Sequence, residues 1–314
     1  MASKPSIQGQ INELPDVLAK IAIHSLADST YKNYNSYFEK YLQYLQGRDI
    51  HLRDTNETHV MEFMEGYVRR GVSVSTIKAI WAALRFGYMC NELHIMDSWR
   101  IAAFYKGAQR LCTHPRSLRF TWDLGVSLQK LSDIPVPVEK LALAREAVFL
   151  FLSATGLRID DIWKLSGQCL VQSGIYFFPY LAARKCNPRG GSASGIHLRP
   201  YHLDRLCPIG AVFRYWSAIG KDHPLHLFPS VTSERATKET LRHWVSEAFR
   251  LLGIEGAAGS TRAASNSWGM LHTNDINYIM NRGGWYSENT FSIYYNRPIL
   301  PSAALYSLPL PLDK

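Results

Sequence analysis

Apolar side chains recur at helical spacing through the first third of the chain. Tyr34, Phe38, Tyr41 and Leu45 stand four, three and four residues apart, which puts them on one helical face. Ser29 or Thr30, just ahead of them, can cap that helix. The same period runs through ETHVMEFMEGYVRRG, closed by Gly71, through SVSTIKAIWAALRFGYMCNEL, with Ser75 near its start, and through Trp99–Leu111. Together these segments predict a helical unit over residues 1–113. The period fails in CTHPRSLRFTWDL, which contains Pro115, and residues 114–124 read as a linker into a second unit spanning 125–314.

In the second unit the pattern predicts helices at Gly125–Leu131, Val138–Thr155 and Ile159–Leu165, followed by a change of character. Ile175–Phe178 is a β-branched and aromatic run that suits a strand. Asn187-Pro188-Arg189-Gly190-Gly191 is turn chemistry, and Ile196–Leu198 is a returning strand. Helical spacing resumes at Leu206–Ile219, Thr237–Leu252, Ser260–Leu271, Asp275–Asn281 and Ser287–Tyr295. The expected fold class is therefore mainly α, a helical N-terminal domain followed by a mixed α/β domain with a small antiparallel sheet.

Composition narrows the function classes. The 314 residues suit two domains at about 150 residues each. With 46% apolar and 19% charged residues the chain can build packed cores. The longest apolar run, around Ala147–Leu152, falls far short of the ~18 residues a membrane span needs. MASKPSIQGQ has no apolar signal-like region, so an intracellular setting is expected. Cys90, Cys112, Cys169, Cys186 and Cys207 are scattered, odd in number and without a CxxC pair, and the histidines form no HExxH. That pattern argues against a disulfide framework and against a metal, and no cofactor is expected.

The net charge is +9, unevenly placed: +2 over residues 1–113 and +7 over 114–314. The densest basic stretch holds Arg184, Lys185, Arg189, Arg199 and Arg205 against Asp204 alone. Such a balance favours a polyanionic partner, although any one of these cations is by itself an ordinary solvated charge.

Four separated pieces carry candidate chemistry. ATGLRIDDIWKLS places Arg158 at a helix start with Asp161 three residues on. Lys185 sits between the two expected strands. GSTRAASNSW places Arg262 in a first helical turn, and RGGWYSENTFSIYYNRP holds Trp285 with Tyr294 and Tyr295. Taken singly, each is a cap, a turn lysine, a surface charge or a core aromatic. In this order, with 27 residues from Arg158 to Lys185, 23 from Arg262 to Trp285 and nine from Trp285 to Tyr294, they resemble the tyrosine recombinase (phage integrase) family. The Trp285 position is Cre-like, and STYKNY with the helices after it resembles the family's core-binding (SAM-like) domain. RFTWDL, STRAAS and GWYSENTFSIYYNRP further resemble recombinases of DIRS-type retrotransposons and related eukaryotic mobile elements.

The resemblance implies a site-specific recombinase or integrase that cuts and rejoins double-stranded DNA through a 3′-phosphotyrosyl intermediate and works as a homo-oligomer, a tetrameric synapse. It implies Arg158 and Arg262 as a clamp on the phosphate, Lys185 as general acid, Trp285 as a phosphate contact, Tyr294 as nucleophile and Asp161 as an orienting residue. Lys78, Arg85, Arg184 and Arg199 become candidate DNA contacts. The setting would be the nucleus in a eukaryote and otherwise the cytoplasm or nucleoid. One position departs from the pattern: the family's His three residues before the second arginine is here Gly259. That leaves open a catalytically weakened or inactive DNA-binding protein on the same fold, with Ser260, His197 or His202 as possible substitutes for the missing imidazole.

Overall fold

The computed structural model describes residues 28–112, 120–182, 195–283, 285, 287–294 and 296–299. The chain divides into two compact units, Met1–Ser117 and Leu118–Lys314.

The first unit contains α1 (Asp28–Gln46), α2 (Glu57–Arg69), α3 (Val74–Cys90) and α4 (Trp99–Leu111). Its core is built from the apolar stripes of the sequence: Phe38, Tyr41 and Leu45 of α1 meet Val60 and Met64 of α2 and Ile77, Ile80, Leu84 and Tyr88 of α3. α1 and α3 approach closely because residue 87 is glycine, where a Cβ would lie 2.3 Å from the Phe38 ring. Two buried phenols share one polar chain: Tyr41 and Tyr88 hydroxyls are 2.7 Å apart, and Tyr88 donates to Thr55 Oγ1 at 2.8 Å. Burial, with Tyr88 alongside, pushes the Tyr41 phenol far up, so the chain is uncharged. Asn56 caps α2 through Thr58 and His59 N–H, and Ser73, not Ser75, caps α3. α1 already includes Asp28, one residue ahead of the caps expected at Ser29 or Thr30.

The second unit is organised on α6. Its elements are α5 (Leu124–Asp133), α6 (Lys140–Thr155), α7 (Ile159–Trp163), β1 (Leu170–Gln172), β2 (Ile175–Pro179), β3 (Gly195–Leu198), α8 (Pro208–Ala218), α9 (Lys238–Leu252), α10 (Thr261–Thr273), α11 (Ile276–Gly283) and α12 (Glu288–Tyr294). α6 is apolar around most of its circumference, with Leu143, Ala144, Ala147, Val148, Phe149, Leu150, Phe151 and Leu152 all buried, the pattern of a central helix. α8, α9 and α10 pack around it. The antiparallel sheet has the order β1-β2-β3, with Phe177 opposite Leu170 on one side and His197 on the other. Phe178 turns inward from β2, edge-on to Phe151 at 5.6 Å. The hydrophobic pattern does not predict β1.

The boundary between the units falls at Ser117, and the last residues of the expected linker belong to the second core. Thr121, Trp122 and Leu124 are buried, and Asp123 caps α5 by accepting Val126 N–H. Among the described residues no helix is long and apolar enough to cross a membrane.

Candidate active site

The turn that carries Arg158 is held from two sides. α6 ends at Gly156, which takes φ 62° and donates its N–H to Leu152 O at 2.8 Å, a left-handed cap that favours glycine. A Cβ there would also lie 2.8 Å from Asn266 Oδ1, so this turn sits directly on α10. Asn266 is fully buried and its amide donates to Arg262 O, while Ser265 Oγ donates to Ser153 O at 2.6 Å. The segments bearing the two arginines are thus locked to each other through buried polar contacts.

Arg158 occupies the N-cap position of α7 in extended conformation, and its N–H donates to Asp161 Oδ2 at 3.4 Å. The Asp161 side chain is 2% exposed. Arg158 Nη1 lies 3.8 Å and Arg262 Nη1 3.9 Å from that same Oδ2. These separations are ion pairs rather than hydrogen bonds. The two arginines differ in exposure: the Arg158 side chain is 37% open to solvent, the Arg262 side chain 3%. One buried carboxylate therefore orients two guanidiniums, one of them open to a ligand.

Arg262 lies over the Trp285 ring, its Cζ 3.8 Å from the ring centre. Trp285 forms a small core with Ile279 and Phe291, its ring 5.1 Å from Phe291. Phe291 belongs to α12, whose last residue is Tyr294. Contacts thus run without a break from Arg158 through Asp161, Arg262 and Trp285 to the helix that carries Tyr294. The Tyr294 side chain, Lys185, Arg184 and Tyr295 lie outside the described residues.

The candidate DNA contacts fall on two units. Lys78 and Arg85 are exposed on α3, with Arg85 Nη2 3.6 Å from Asp97. Arg199 follows β3 and lines a cavity of about 550 Å³ with Thr155, His197, Tyr278 and Asn281. Gly259 is exposed in the 3-10 turn Ala258–Ser260, and among the described residues a Cβ there meets no heavy atom within 4 Å. Its neighbour Ser260 accepts the Trp122 indole N–H at 3.0 Å. The histidines considered as substitutes are exposed: His197 lies 4.7 Å from the Phe177 ring, and His202 4.3 Å from Tyr201.

A basic cluster beside Arg158 has no counterpart among the sequence motifs. Asp160 receives Lys164 at 3.2 Å and also pairs with Lys238, the first residue of α9. Burial alone would raise the Asp160 carboxyl, but Lys238 and Lys164 outweigh it and hold it below its ordinary value. Lys238 and Arg235 lie 4.5 and 3.2 Å from the Trp163 ring centre. The Asp160–Lys164 spacing is legible as an i,i+4 pair, whereas Lys238 comes from a distant segment. Among the described residues no group of three His, Cys, Asp or Glu side chains is placed to hold a metal.

Residues 14–89 match the family described as phage integrase, N-terminal SAM-like domain. No curated protein matches the chain. Among solved structures, XerH site-specific recombinase bound to palindromic difH substrate aligns over 91% of this chain and 82% of its own, with TM-score 0.64 and 17% identity. A lambda integrase dimer bound to a COC′ core site aligns over 93% and 77%, with TM-score 0.57 and 15% identity. A lambda integrase tetramer bound to a Holliday junction aligns over the same 93% and 77%, with TM-score 0.56 and 15% identity. The chain has the tyrosine recombinase fold. Its N-terminal unit carries the phage-integrase SAM-like domain.

Proposed function

We propose that this protein is a site-specific DNA recombinase or integrase that breaks and rejoins double-stranded DNA without cofactor or metal. The observation that carries this reading is the convergence of Arg158 and Arg262, from separate motifs, on the buried Asp161 carboxylate, with Trp285 stacked on Arg262. Two planar, permanently charged forks suit two nonbridging oxygens of a phosphodiester, whose charge grows in the transition state.

In this reading the Tyr294 oxygen attacks phosphorus and its proton passes to solvent. The bond from phosphorus to the 5′ oxygen breaks, the electron pair leaves with that oxygen, and the Lys185 ammonium protonates it. A 3′-phosphotyrosyl bond stores the energy of the broken linkage, so attack by a 5′-hydroxyl rejoins a strand without ATP. Trp285 donates its indole N–H to the phosphate, and Asp161 keeps both arginines aimed. Lys78, Arg85, Arg184 and Arg199 contact backbone phosphates, joined by Lys164 and Lys238 next to Arg158. Four copies form the synapse, as the DNA-bound neighbours suggest. The setting is the nucleus or nucleoid, and the RFTWDL and STRAAS segments favour an origin in a DIRS-type or related mobile element.

The test starts with selection of bound duplexes from a random pool. The selected duplex is then offered as a nicked suicide substrate, on which a recombinase accumulates a covalent protein–DNA adduct. Salt-dependent binding without any adduct would instead support the inactive DNA-binding protein that Gly259 leaves open.

A further inference from the structure

Thr121 and Trp122 occupy a junction that neither the clamp nor the nucleophile explains. Thr121 is 3% exposed and its N–H donates to Pro298 O at 2.9 Å, within an isolated parallel bridge between Thr121 and Ile299. That bridge grips the chain just past the nucleophile helix α12. The same stretch is gripped again where Arg297 N–H donates to Ser267 Oγ at 2.9 Å, on the helix that carries Arg262. One residue further, the Trp122 indole donates to Ser260 Oγ at 3.0 Å, two residues before Arg262. The Trp122 ring is seated in the core, 5.3 Å from Phe249 and 6.2 Å from Phe149. Asp123 then fixes the following helix by capping it. Three segments distant in sequence are thus tied in a triangle: residues 121–123, α10 with the Ser260 turn before it, and residues 297–299.

We propose that Thr121 and Trp122 are positioning residues that hold the nucleophile helix in register with the Arg262 turn, an inference that rests on the recombinase reading above. Nucleophile and clamp come from different segments, and in-line attack requires that they keep a fixed separation. Two ties reach that stretch, one from α10 and one from Thr121. The Thr121 tie adds a reference that is itself pinned to the Arg262 turn through Ser260. The chain enters the second unit close to this junction, so residues at that entry also set the geometry of cleavage.

The test uses the full-length protein with Trp122→Phe, Ser260→Ala and the double variant. Phenylalanine keeps an aromatic ring among Phe149 and Phe249 but removes the N–H donor together with part of the indole, while alanine removes only its acceptor. Single-turnover cleavage of the suicide substrate should fall on the order of ten- to a hundredfold in each single variant. The double variant should fall no further, because both changes delete one bond. DNA affinity should stay at the parent value, and the melting temperature should fall modestly, more for Trp122→Phe, whose smaller ring leaves a gap in the core, than for Ser260→Ala. A substrate with a sulfur leaving group, which needs no general acid, should show the same deficit, because the fault lies on the side of attack. Parent-like cleavage by Trp122→Phe, a loss that tracks DNA affinity, or full additivity in the double variant overturns the inference. If the parent protein itself forms no adduct, the recombinase reading falls and this inference with it.

Discussion

Arg262 Nη1 lies 3.9 Å from Asp161 Oδ2, both side chains almost wholly buried, while Arg158 reaches the same oxygen from the solvent side. In the proposed clamp the two arginines share a chemical role but differ in structural cost. Either one changed to alanine should lower cleavage on the order of 10²-fold or more, the scale seen for lost transition-state donors. Only Arg262→Ala should also unsettle the fold. Removing one partner of a buried pair typically costs about 3–5 kcal/mol, whereas a half-exposed pair contributes about 1 kcal/mol or less. Thermal melts of both variants beside their cleavage rates check this: equal melting temperatures would contradict the assigned burial of the pair.

Gly259 stands where the motif it resembles has a histidine, and among the described residues a Cβ there would meet no heavy atom within 4 Å. A substitute group packed directly against residue 259 would make Gly259→His clash, and no described residue is packed there. Gly259→His should therefore fold normally and raise single-turnover cleavage, by about tenfold. That is below the full 10²–10⁴ range of a general acid–base group because the imidazole lacks an adapted setting. A slower Gly259→His enzyme with an unchanged melting temperature would show that this site works better without the imidazole.

Gly156 couples the first arginine motif to the second. Alanine there must adopt a left-handed backbone, costing about 1–2 kcal/mol, and its Cβ would meet the Asn266 amide at 2.8 Å. Because Asn266 is itself fixed on the Arg262 carbonyl, the strain falls on the clamp. Gly156→Ala should lower both melting temperature and cleavage, with DNA affinity less affected. A variant with parent-like cleavage would break the claimed link between this turn and the site.

Asp160 gives a pH signature. Its folded carboxyl titrates below the ordinary value because Lys238 and Lys164 favour the charged form over the opposing effect of burial. A depressed acid stabilises the fold above its unfolded pKa and loses that contribution as pH falls through the folded one. Asp160→Asn should thus lower the melting temperature modestly at neutral pH, by what a pair worth about 1 kcal/mol or less can contribute. The difference should shrink as pH falls below the ordinary carboxylate value of about 3.9 and vanish once the folded carboxyl is protonated. A constant difference at all pH values would mean that the asparagine acts by packing and not by charge.

Much of this arrangement is legible in the amino-acid sequence. Phe38, Tyr41 and Leu45 announce their helix because burial on one face imposes the period, and Gly156 and Arg158 announce their turn because few sequences satisfy a left-handed cap before a helix start. β1 is not legible: Leu170, Val171 and Gln172 are all exposed, so no inward–outward alternation marks the strand. Trp122 reads as part of a linker because its partners Phe149, Phe249 and Ser260 lie far along the chain. Lys238 escapes notice for the same reason, its acid being Asp160 and its ring Trp163. Local chemistry writes the helices and the motif spacings, and the contacts that fasten motif to motif are long-range.

In the proposed reaction Tyr294 becomes covalently joined to DNA. The direct measurement is a suicide substrate incubated with the parent, Tyr294→Phe and Tyr295→Phe proteins, with the adducted residue mapped by peptide mass spectrometry. The expected result is an adduct on Tyr294 in the parent, an adduct retained at least in part by Tyr295→Phe, and none from Tyr294→Phe, which still binds the duplex nearly as tightly because affinity lies mostly in phosphate contacts made elsewhere. An adduct that maps to Tyr295, or that persists in Tyr294→Phe, would contradict it.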